Sequence, residues 1–144
     1  MGDIDGEWDS DNIFAKIVRG EAPCAKVYED QATLAFMDVF PQSLGHTLVI
    51  HKSARARNLL DAAPEEICAL ILSVQKISKA LRKALNPDAV AVMQFTGAAS
   101  GQSIYHLHFH VIPRWRGRPL GAHARGAADS GDLAELAKRI AAEI

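Results

Sequence analysis

The sequence predicts an α+β domain in which helices pack on an antiparallel β-sheet. The first observation is the order of segments, since short strand-like segments lie on both sides of one long segment with helical periodicity. The second is size and composition. The chain has 144 residues, 49% of them hydrophobic, so it can bury a core within a single domain.

The elements that precede the long helix are short. Residues 1–11 carry five acidic side chains and are expected to form a mobile arm. A short helix is predicted over 12–19. Residues 27–30 and 33–36 are typical of two strands of a hairpin joined by an Asp-Gln turn, and residues 47–50 of a third strand.

The long helix is predicted to begin at Pro64 and to be stopped by Asn86 and the proline after it. Its apolar residues recur at helical spacing and are expected to face the core: Ile67, Leu70, Ile71, Val74, Ile77 and Leu81. Two further strands are predicted over 89–95 and 105–112, and a final helix over 132–142.

Composition and charge exclude several classes of protein. A net charge of -1 gives no electrostatic basis for binding nucleic acid or a membrane surface. The apolar run from Ile67 to Leu72 is too short to cross a bilayer, and the N-terminus is acidic where a signal peptide is basic. Cys24 and Cys68 do not make a disulfide framework. We therefore expect a cytoplasmic protein with no nucleic-acid or membrane partner.

Three histidines alternate in one predicted strand, at His106, His108 and His110. Residues at i, i+2 and i+4 of a strand share one face, so the three imidazoles line one side of the sheet. The apolar residues between them, Leu107, Phe109 and Val111, point to the other side. Polar groups are costly to bury without partners, so packing alone is a poor reason for three histidines on one face. This face is the candidate site.

A loop of small residues, 97–103, leads into that strand. Its glycines let the backbone turn tightly and bring N–H groups close to a ligand, and Gln102 and Ser103 add side-chain donors. Such a loop taken alone is often a plain turn. Beside three histidines, it predicts one half of a phosphate-binding cradle.

Residues 101–112 closely resemble the His-φ-His-φ-His-φ-φ signature of the histidine-triad (HIT) family, where φ is apolar. Upstream, residues 13–21, 35–39 and 41–50 are similar to consecutive blocks of the Hint-like branch of that family. The resemblance covers most of residues 12–116.

On this basis the chain is divided into an acidic flexible arm (1–11), a HIT domain (12–116) and a C-terminal part (117–144). The C-terminal part combines a basic, Gly- and Ala-rich tail with the final helix. The resemblance implies a five-stranded antiparallel sheet and a homodimer whose sheets join.

The resemblance also implies an activity, which is hydrolysis or transfer at the α-phosphate of a purine nucleoside monophosphate derivative, either a phosphoramidate or an adenylate. It assigns His108 as the nucleophile that forms a nucleotidyl-histidine and His110 as a contact to the α-phosphate oxygens. His106 orients His108, His46 is a fourth histidine packed against the triad, and Ser103 assists the leaving group.

The implied substrate contacts come from several segments. Asp38 is expected to bind the ribose hydroxyls. The base pocket is walled by apolar residues: Phe14, Ile17, Phe36 and Val39. The phosphate is held by the loop residues Gly101, Gln102 and Ser103 with His108 and His110. No cofactor or metal is implied, and the positions of a zinc-binding Cys-x-x-Cys are Asn12 and Ala15.

Other interpretations remain open at this stage. Imidazoles on one strand face also hold transition metals, and a nucleotide-binding regulator with weak or no catalysis would need the same residues. A dinucleoside polyphosphate is another possible substrate, and the sequence does not choose adenine over guanine. His51 and His123 are interpreted as structural. The arginines at 114, 116 and 118 form either a solvated basic loop or an attractor for anions.

Phe95 is a departure from the family pattern, because many members have an asparagine there that touches the nucleotide. Strand alternation groups Phe95 with Ala89, Ala91 and Met93, the more uniformly apolar set. We therefore predict that Phe95 points into the core.

Overall fold

The computed structural model describes residues 3–121 and 126–144. Its helices and strands, in chain order, are α1 (Ile13–Val18), β1 (Lys26–Glu29), β2 (Thr33–Met37), β3 (Thr47–His51), α2 (Pro64–Leu85), β4 (Ala89–Met93), β5 (His108–Arg114) and α3 (Ser130–Ala141). The strands form one sheet in the order β1-β2-β3-β5-β4, and every neighbouring pair is antiparallel. The predicted α+β architecture with a five-stranded antiparallel sheet is confirmed.

The two faces of the sheet have different partners. On one face, cross-strand neighbours such as Ala35, Val49 and Phe109 belong to the large core that α2 and α3 cover. On the other face, the neighbours Phe36 and Leu48 join a smaller cluster with α1. Since side chains alternate between faces along a strand, the residues of β5 divide between the two layers. The helices thus support one face while the other is left for the histidines.

Helix α2 begins and ends as predicted, with Pro64 in its first turn and Asn86 in the left-handed conformation at its C-cap. The buried side of the helix is formed by Leu70, Ser73, Val74, Ile77, Ala80 and Leu81. The prediction for Ile71 is wrong, because this side chain is 46% exposed. The buried side of the helix instead includes two small residues, Ser73 and Ala80, which let the helix approach the sheet closely. No helix within residues 3–121 and 126–144 is both long and apolar enough to span a membrane.

The predicted hairpin turn is held by one carboxylate. Asp30 Oδ1 accepts hydrogen bonds from the Ala32 and Thr33 backbone N–H groups and from the Thr33 hydroxyl, and Oδ2 accepts one from the Tyr28 hydroxyl. Burial raises the pKa of Asp30, but these hydrogen bonds outweigh it and lower the pKa to about 2. The turn is therefore fixed by a carboxylate that stays charged at neutral pH.

Strand β5 begins at His108, three residues later than predicted, and runs through Pro113 to Arg114. The reason is a change of partner just before it. The Leu107 N–H donates to the Ala56 carbonyl at 2.9 Å, so the chain at this point pairs with the segment after β3. His106 consequently lies in a bend outside the sheet ladder.

The segments outside residues 12–116 pack against the domain. The carbonyls of Asp3 and Ile4 accept hydrogen bonds from Arg57 and Asn58, at 3.3 and 2.8 Å. Helix α3 adds four residues to the large core: Leu133, Leu136, Ala137 and Ile140. Both outer segments therefore pack on the part of the chain between residues 12 and 116, and the division at residues 11 and 116 stays a prediction.

Gly45 lies in the loop before β3, at a point where this loop approaches α2 closely. It has φ +87°, and a Cβ atom there would lie 2.5 Å from Leu85 Cδ1 and 3.1 Å from Pro113 Cγ. We expect Gly45→Ala to lower the free energy of unfolding by roughly 2–4 kcal/mol, because left-handed strain adds to overpacking. Urea denaturation measures this loss.

Gly20→Ala is the matched control. Gly20 has φ +76° but no heavy atom within 4 Å of its Cβ position, so only the backbone strain, roughly 1–2 kcal/mol, is expected. Equal losses of unfolding free energy in the two variants would show that overpacking against Leu85 and Pro113 does not destabilise the protein.

Candidate active site

The three histidines of the motif come together on the face of the sheet that α2 and α3 leave open. His108 and His110 lie in β5 and His106 in the bend before it, and all three are buried. The ring centroids of His108 and His110 are 4.9 Å apart. Phe14, from α1, contacts the edges of His106 and His108 at centroid distances of 6.0 and 5.0 Å.

The proton position on His108 is set by the backbone. Its Nδ1 lies 2.6 Å from the His106 carbonyl oxygen, which can only accept. Nδ1 therefore carries the proton in neutral His108, and the lone pair of the ring is on Nε2. This is the nitrogen that a nucleophilic imidazole uses when Nδ1 is hydrogen-bonded to the main chain.

A second chain of hydrogen bonds sets the tautomer of His110. The Gln42 backbone N–H donates to His46 Nδ1 at 3.1 Å, so the proton of neutral His46 is on Nε2. His46 Nε2 lies 2.9 Å from His110 Nδ1, which therefore accepts. The remaining nitrogen of His110, Nε2, then carries a proton. Nε2 of His110 is thus a hydrogen-bond donor, whereas Nε2 of His108 presents a lone pair.

Asp38 is buried beside this pair. Its Oδ1 accepts from the Phe40 backbone N–H at 2.8 Å, and its Oδ2 lies 3.4 Å from His46 Nε2. One ligand atom from each of Asp38, His46 and His110 falls within 4.8 Å of the others, a spacing that is compatible with a metal ion. The hydrogen bond between the two rings and the contact to the carboxylate account for this proximity without an ion.

His106 receives a hydrogen bond from a residue that the sequence analysis leaves out. Trp8, in the N-terminal arm, donates its indole N–H to His106 Nδ1 at 3.1 Å. His106 also makes a hydrogen bond to the His51 backbone. Burial, followed by the nearby His108, lowers the pKa of His106 to about 4. His106 is consequently neutral at physiological pH.

The 97–103 loop contains a 3-10 turn over Ala98–Ser100, flanked by Gly97 and Gly101 with φ of +96° and +120°. The side-chain amide of Gln102 is buried in the loop, where Oε1 accepts from the Gly97 N–H and Nε2 donates to the Arg57 and Ile104 carbonyls. Gln102 thus fixes the loop. The sequence predicts that its side-chain donors face a phosphate, whereas here they are used within the loop and toward Arg57.

The loop amides are also partly used. The Gly101 and Gln102 N–H groups donate to the carbonyls of Ala98 and Gly97 within the turn, and their contact with a phosphate stays a prediction. Ser103 differs. It is exposed, and within the described residues neither its N–H nor its hydroxyl has a hydrogen-bond partner. Ser103 can therefore offer both its N–H and its hydroxyl to a ligand.

Three of the four predicted base-pocket residues come together. Phe14, Phe36 and the partly buried Ile17 pack in the small cluster on the histidine face, with the Phe14 and Phe36 ring centroids 5.4 Å apart. Val39 does not join them. It follows the end of β2 and is 45% exposed.

The prediction that Phe95 points into the core is wrong. Its ring lies 5.3 Å from the ring of His110, centroid to centroid, at the edge of the site. The register explains the error. Met93 is opposite His110 and Val92 is opposite Val111, so the apolar set of Met93 and Ala91 lies on the histidine face. Phe95, two residues after Met93, lies on the same face, so the set that the sequence assigns to the core is the set that faces the site.

The ring of His51 and the arginines after β5 make their hydrogen bonds and ring contacts with other parts of the chain than the three histidines. His51 is structural as predicted, because its Nδ1 accepts from the Ser53 and Ala54 N–H groups. The prediction for His123 falls outside the described residues. Arg116 and Arg118 are exposed, and Arg118 stacks over the Trp115 ring at 5.7 Å, which fits a solvated basic loop.

Known proteins share this fold and this motif. A model of the HIT domain matches residues 19–117. Adenylylsulfatase HINT3 of Arabidopsis thaliana is 39% identical over 121 residues, which cover 80% of this chain and 61% of that protein, so the chain spans less than two thirds of its length. Adenosine 5'-monophosphoramidase hnt1 of Schizosaccharomyces pombe is 41% identical over 102 residues, covering 71% of this chain and 73% of that one.

A solved structure is similar over nearly the whole chain. The crystal structure of a HIT-like protein involved in cell-cycle regulation, from Bartonella henselae, superposes with a TM-score of 0.91 at 48% identity, covering 96% of this chain and 100% of that one. The matched family region contains the alternating histidines, β1 to β5 and α2. The chain therefore belongs to the histidine-triad (HIT) family.

Proposed function

We propose that the protein is a nucleotide hydrolase or transferase that attacks the α-phosphate of a purine nucleoside phosphoramidate or adenylate. The observation that carries this proposal is the pair of tautomers in β5. His108 has its Nε2 lone pair available to a phosphorus by virtue of the Nδ1 hydrogen bond, and His110 beside it carries an Nε2 proton for a phosphate oxygen. The names of the two relatives, an adenylylsulfatase and an adenosine monophosphoramidase, support this class of substrate.

The proposed reaction has two displacements. His108 Nε2 forms a bond to the α-phosphorus while the bond from phosphorus to the leaving group breaks, which gives a nucleotidyl-histidine. Ser103, with its hydroxyl beside the motif, supplies a proton to the leaving group and is restored by solvent. Water then attacks the same phosphorus, the N–P bond breaks, and a nucleoside monophosphate is released. His110 stabilises the charge on the phosphate oxygens in both steps.

The remaining substrate contacts follow from the same placement. The purine lies against the partly buried Ile17, at the edge of the cluster that contains the buried Phe14 and Phe36, and Val39 lies outside this cluster. Asp38 binds the ribose hydroxyls, for which a carboxylate is a bidentate acceptor.

Cys24 and Cys68 are free thiols, which supports a cytoplasmic location.

His108→Ala is expected to lower kcat for an adenosine phosphoramidate by roughly 10⁴-fold or more while leaving AMP affinity within a few-fold. The reason is that a covalent nucleophile acts on the transition state and adds little to ground-state binding. Single-turnover kinetics and calorimetric titration with AMP measure the two effects. Lys79→Ala is the control, because Lys79 is an exposed residue of α2 on the opposite side of the sheet from the histidines. A wild-type protein that binds AMP without turning over phosphoramidates or adenylates would favour the regulatory interpretation.

Asp38→Ala is expected to weaken AMP binding by roughly 1–3 kcal/mol, the range for hydrogen bonds to a charged partner. Binding of a phosphate ester that lacks ribose should change much less. The comparison within one variant controls for any disturbance of the contact between Asp38 and His46. The same loss for both ligands would mean that Asp38 acts through the histidines and does not bind ribose.

We also propose that the protein forms a homodimer through α2 and β4. Strand β4 is an edge of the sheet, and three apolar side chains on these elements are exposed: Ile71 at 46%, Leu72 at 65% and Val92 at 45%. We expect Leu72→Glu to convert a dimer to a monomer in light scattering, whereas Leu44→Glu, at a 55% exposed position outside these elements, should leave the mass unchanged. A monomeric wild-type protein would contradict the proposal.

A further inference from the structure

Trp8 reaches the triad from a segment that no motif includes. The arm that carries it is held by the hydrogen bonds from Arg57 and Asn58 to the Asp3 and Ile4 carbonyls. Beyond these anchors, the indole ring lies 5.9 Å from the ring of His106 and its N–H donates to His106 Nδ1. The arm therefore contributes a directional contact to a residue of the candidate site.

The chemistry of this contact allows one protonation state. An indole nitrogen can only donate, so the nitrogen that receives it must have no proton. In neutral His106 the proton is then on Nε2, where it can donate to the His51 carbonyl. A protonated His106 would place an N–H against the indole N–H. Trp8 thus selects the neutral form of His106 and one of its two tautomers.

We propose that Trp8 is a positioning residue of the triad, which holds His106 neutral, in the Nε2-protonated tautomer and in a fixed orientation. The inference rests on the proposed function, because His106 matters through the carbonyl that receives the Nδ1 proton of His108. A fixed His106 keeps that carbonyl, and therefore the nucleophilic nitrogen of His108, in place.

The charged groups around His106 determine the effect of losing Trp8. His108 and His51 face it from β5 and β3, and a cavity of about 450 Å³ beside it is lined by three cationic side chains: Arg19, Lys52 and Arg55. His108 and His51 disfavour a charge on His106, whereas Arg19 and Lys52 are paired with Glu21 and Glu29. A protonated Nδ1 would face the indole N–H, so we expect the pKa of His106 to rise from about 4 when that N–H is removed. A charged His106 would make His108 a weaker nucleophile, so activity would fall as His106 takes up a proton at acidic pH.

The test removes the indole N–H of residue 8 and keeps an aromatic ring at that position. Trp8→Phe is one variant. The second replaces Trp8 by 3-(3-benzothienyl)alanine, which is nearly isosteric with tryptophan and has no N–H, in a Trp115→Phe background so that only one position is labelled. Trp115→Phe alone is the control, since this ring contacts Arg118 in the tail. Thermal melts establish that each variant is folded.

Two readouts are compared. Nitrogen-15 NMR of the imidazoles reports the tautomer and pKa of His106 without any substrate. We expect the wild type and Trp115→Phe to show an unprotonated Nδ1, and both Trp8 variants to show a higher pKa of His106, while the His51 carbonyl still holds the proton on Nε2. In the pH profile of kcat/KM, the acidic limb should move to higher pH by about one unit, which is a tenfold loss on that limb, with little change at pH 8.

The outcomes separate the two proposals. An unchanged His106 pKa in both folded Trp8 variants would overturn the role of Trp8. A raised His106 pKa with an unchanged acidic limb would also overturn it, since the protonation of His106 would then have no effect on His108. If the wild type hydrolyses no phosphoramidate or adenylate, the proposed function fails, while the NMR comparison still decides whether Trp8 sets the protonation of His106.

Discussion

The hydrogen bond between His108 Nδ1 and the His106 carbonyl, at 2.6 Å, is the constraint on which the candidate site depends. It requires the main chain before β5 to leave the sheet, because a residue within the ladder would use its carbonyl to pair with a neighbouring strand. The hydrogen bond from Leu107 to Ala56 makes that departure possible. The late start of β5 is therefore a condition for placing the lone pair of His108 on Nε2.

The same principle extends to the other imidazoles. Each ring has its proton position fixed by a group that can act in only one way: the Gln42 N–H for His46, and the Trp8 indole for His106. The tautomer of His110 is set by its hydrogen bond with His46. Such a network is costly to bury unless every member is satisfied, and here the main chain supplies fixed donors and acceptors at both ends. Preorganisation of this kind reduces the rearrangement that a reaction would otherwise require.

Support for this polar face comes from the opposite side of the sheet. The large core under α2 and α3 buries the intervening residues of β5, so Phe109 and Val111 anchor the strand while His108 and His110 face away. The outer segments complete the arrangement, with α3 closing the core and the arm bringing Trp8 to His106. The arm has few buried apolar contacts, and such segments open at low free energy. The environment of His106 consequently depends in part on a segment whose residues are mostly exposed.

The sequence alone determined the alternating histidines, the hairpin turn at Asp30, the limits of α2 and the order of elements, because these depend on periodicity and on local backbone preferences. It did not reveal that Ile71 is exposed, that Phe95 lies against His110, that the amide of Gln102 is used within its own loop, or that Trp8 reaches His106. A period of two identifies which residues share a face, but it does not say which face the helices cover. Only the register between β4 and β5 placed Met93 and Phe95 on the side of the site. Contacts such as Trp8 to His106 join residues 98 positions apart, so they follow from the packing of the whole chain and leave no local pattern in its sequence.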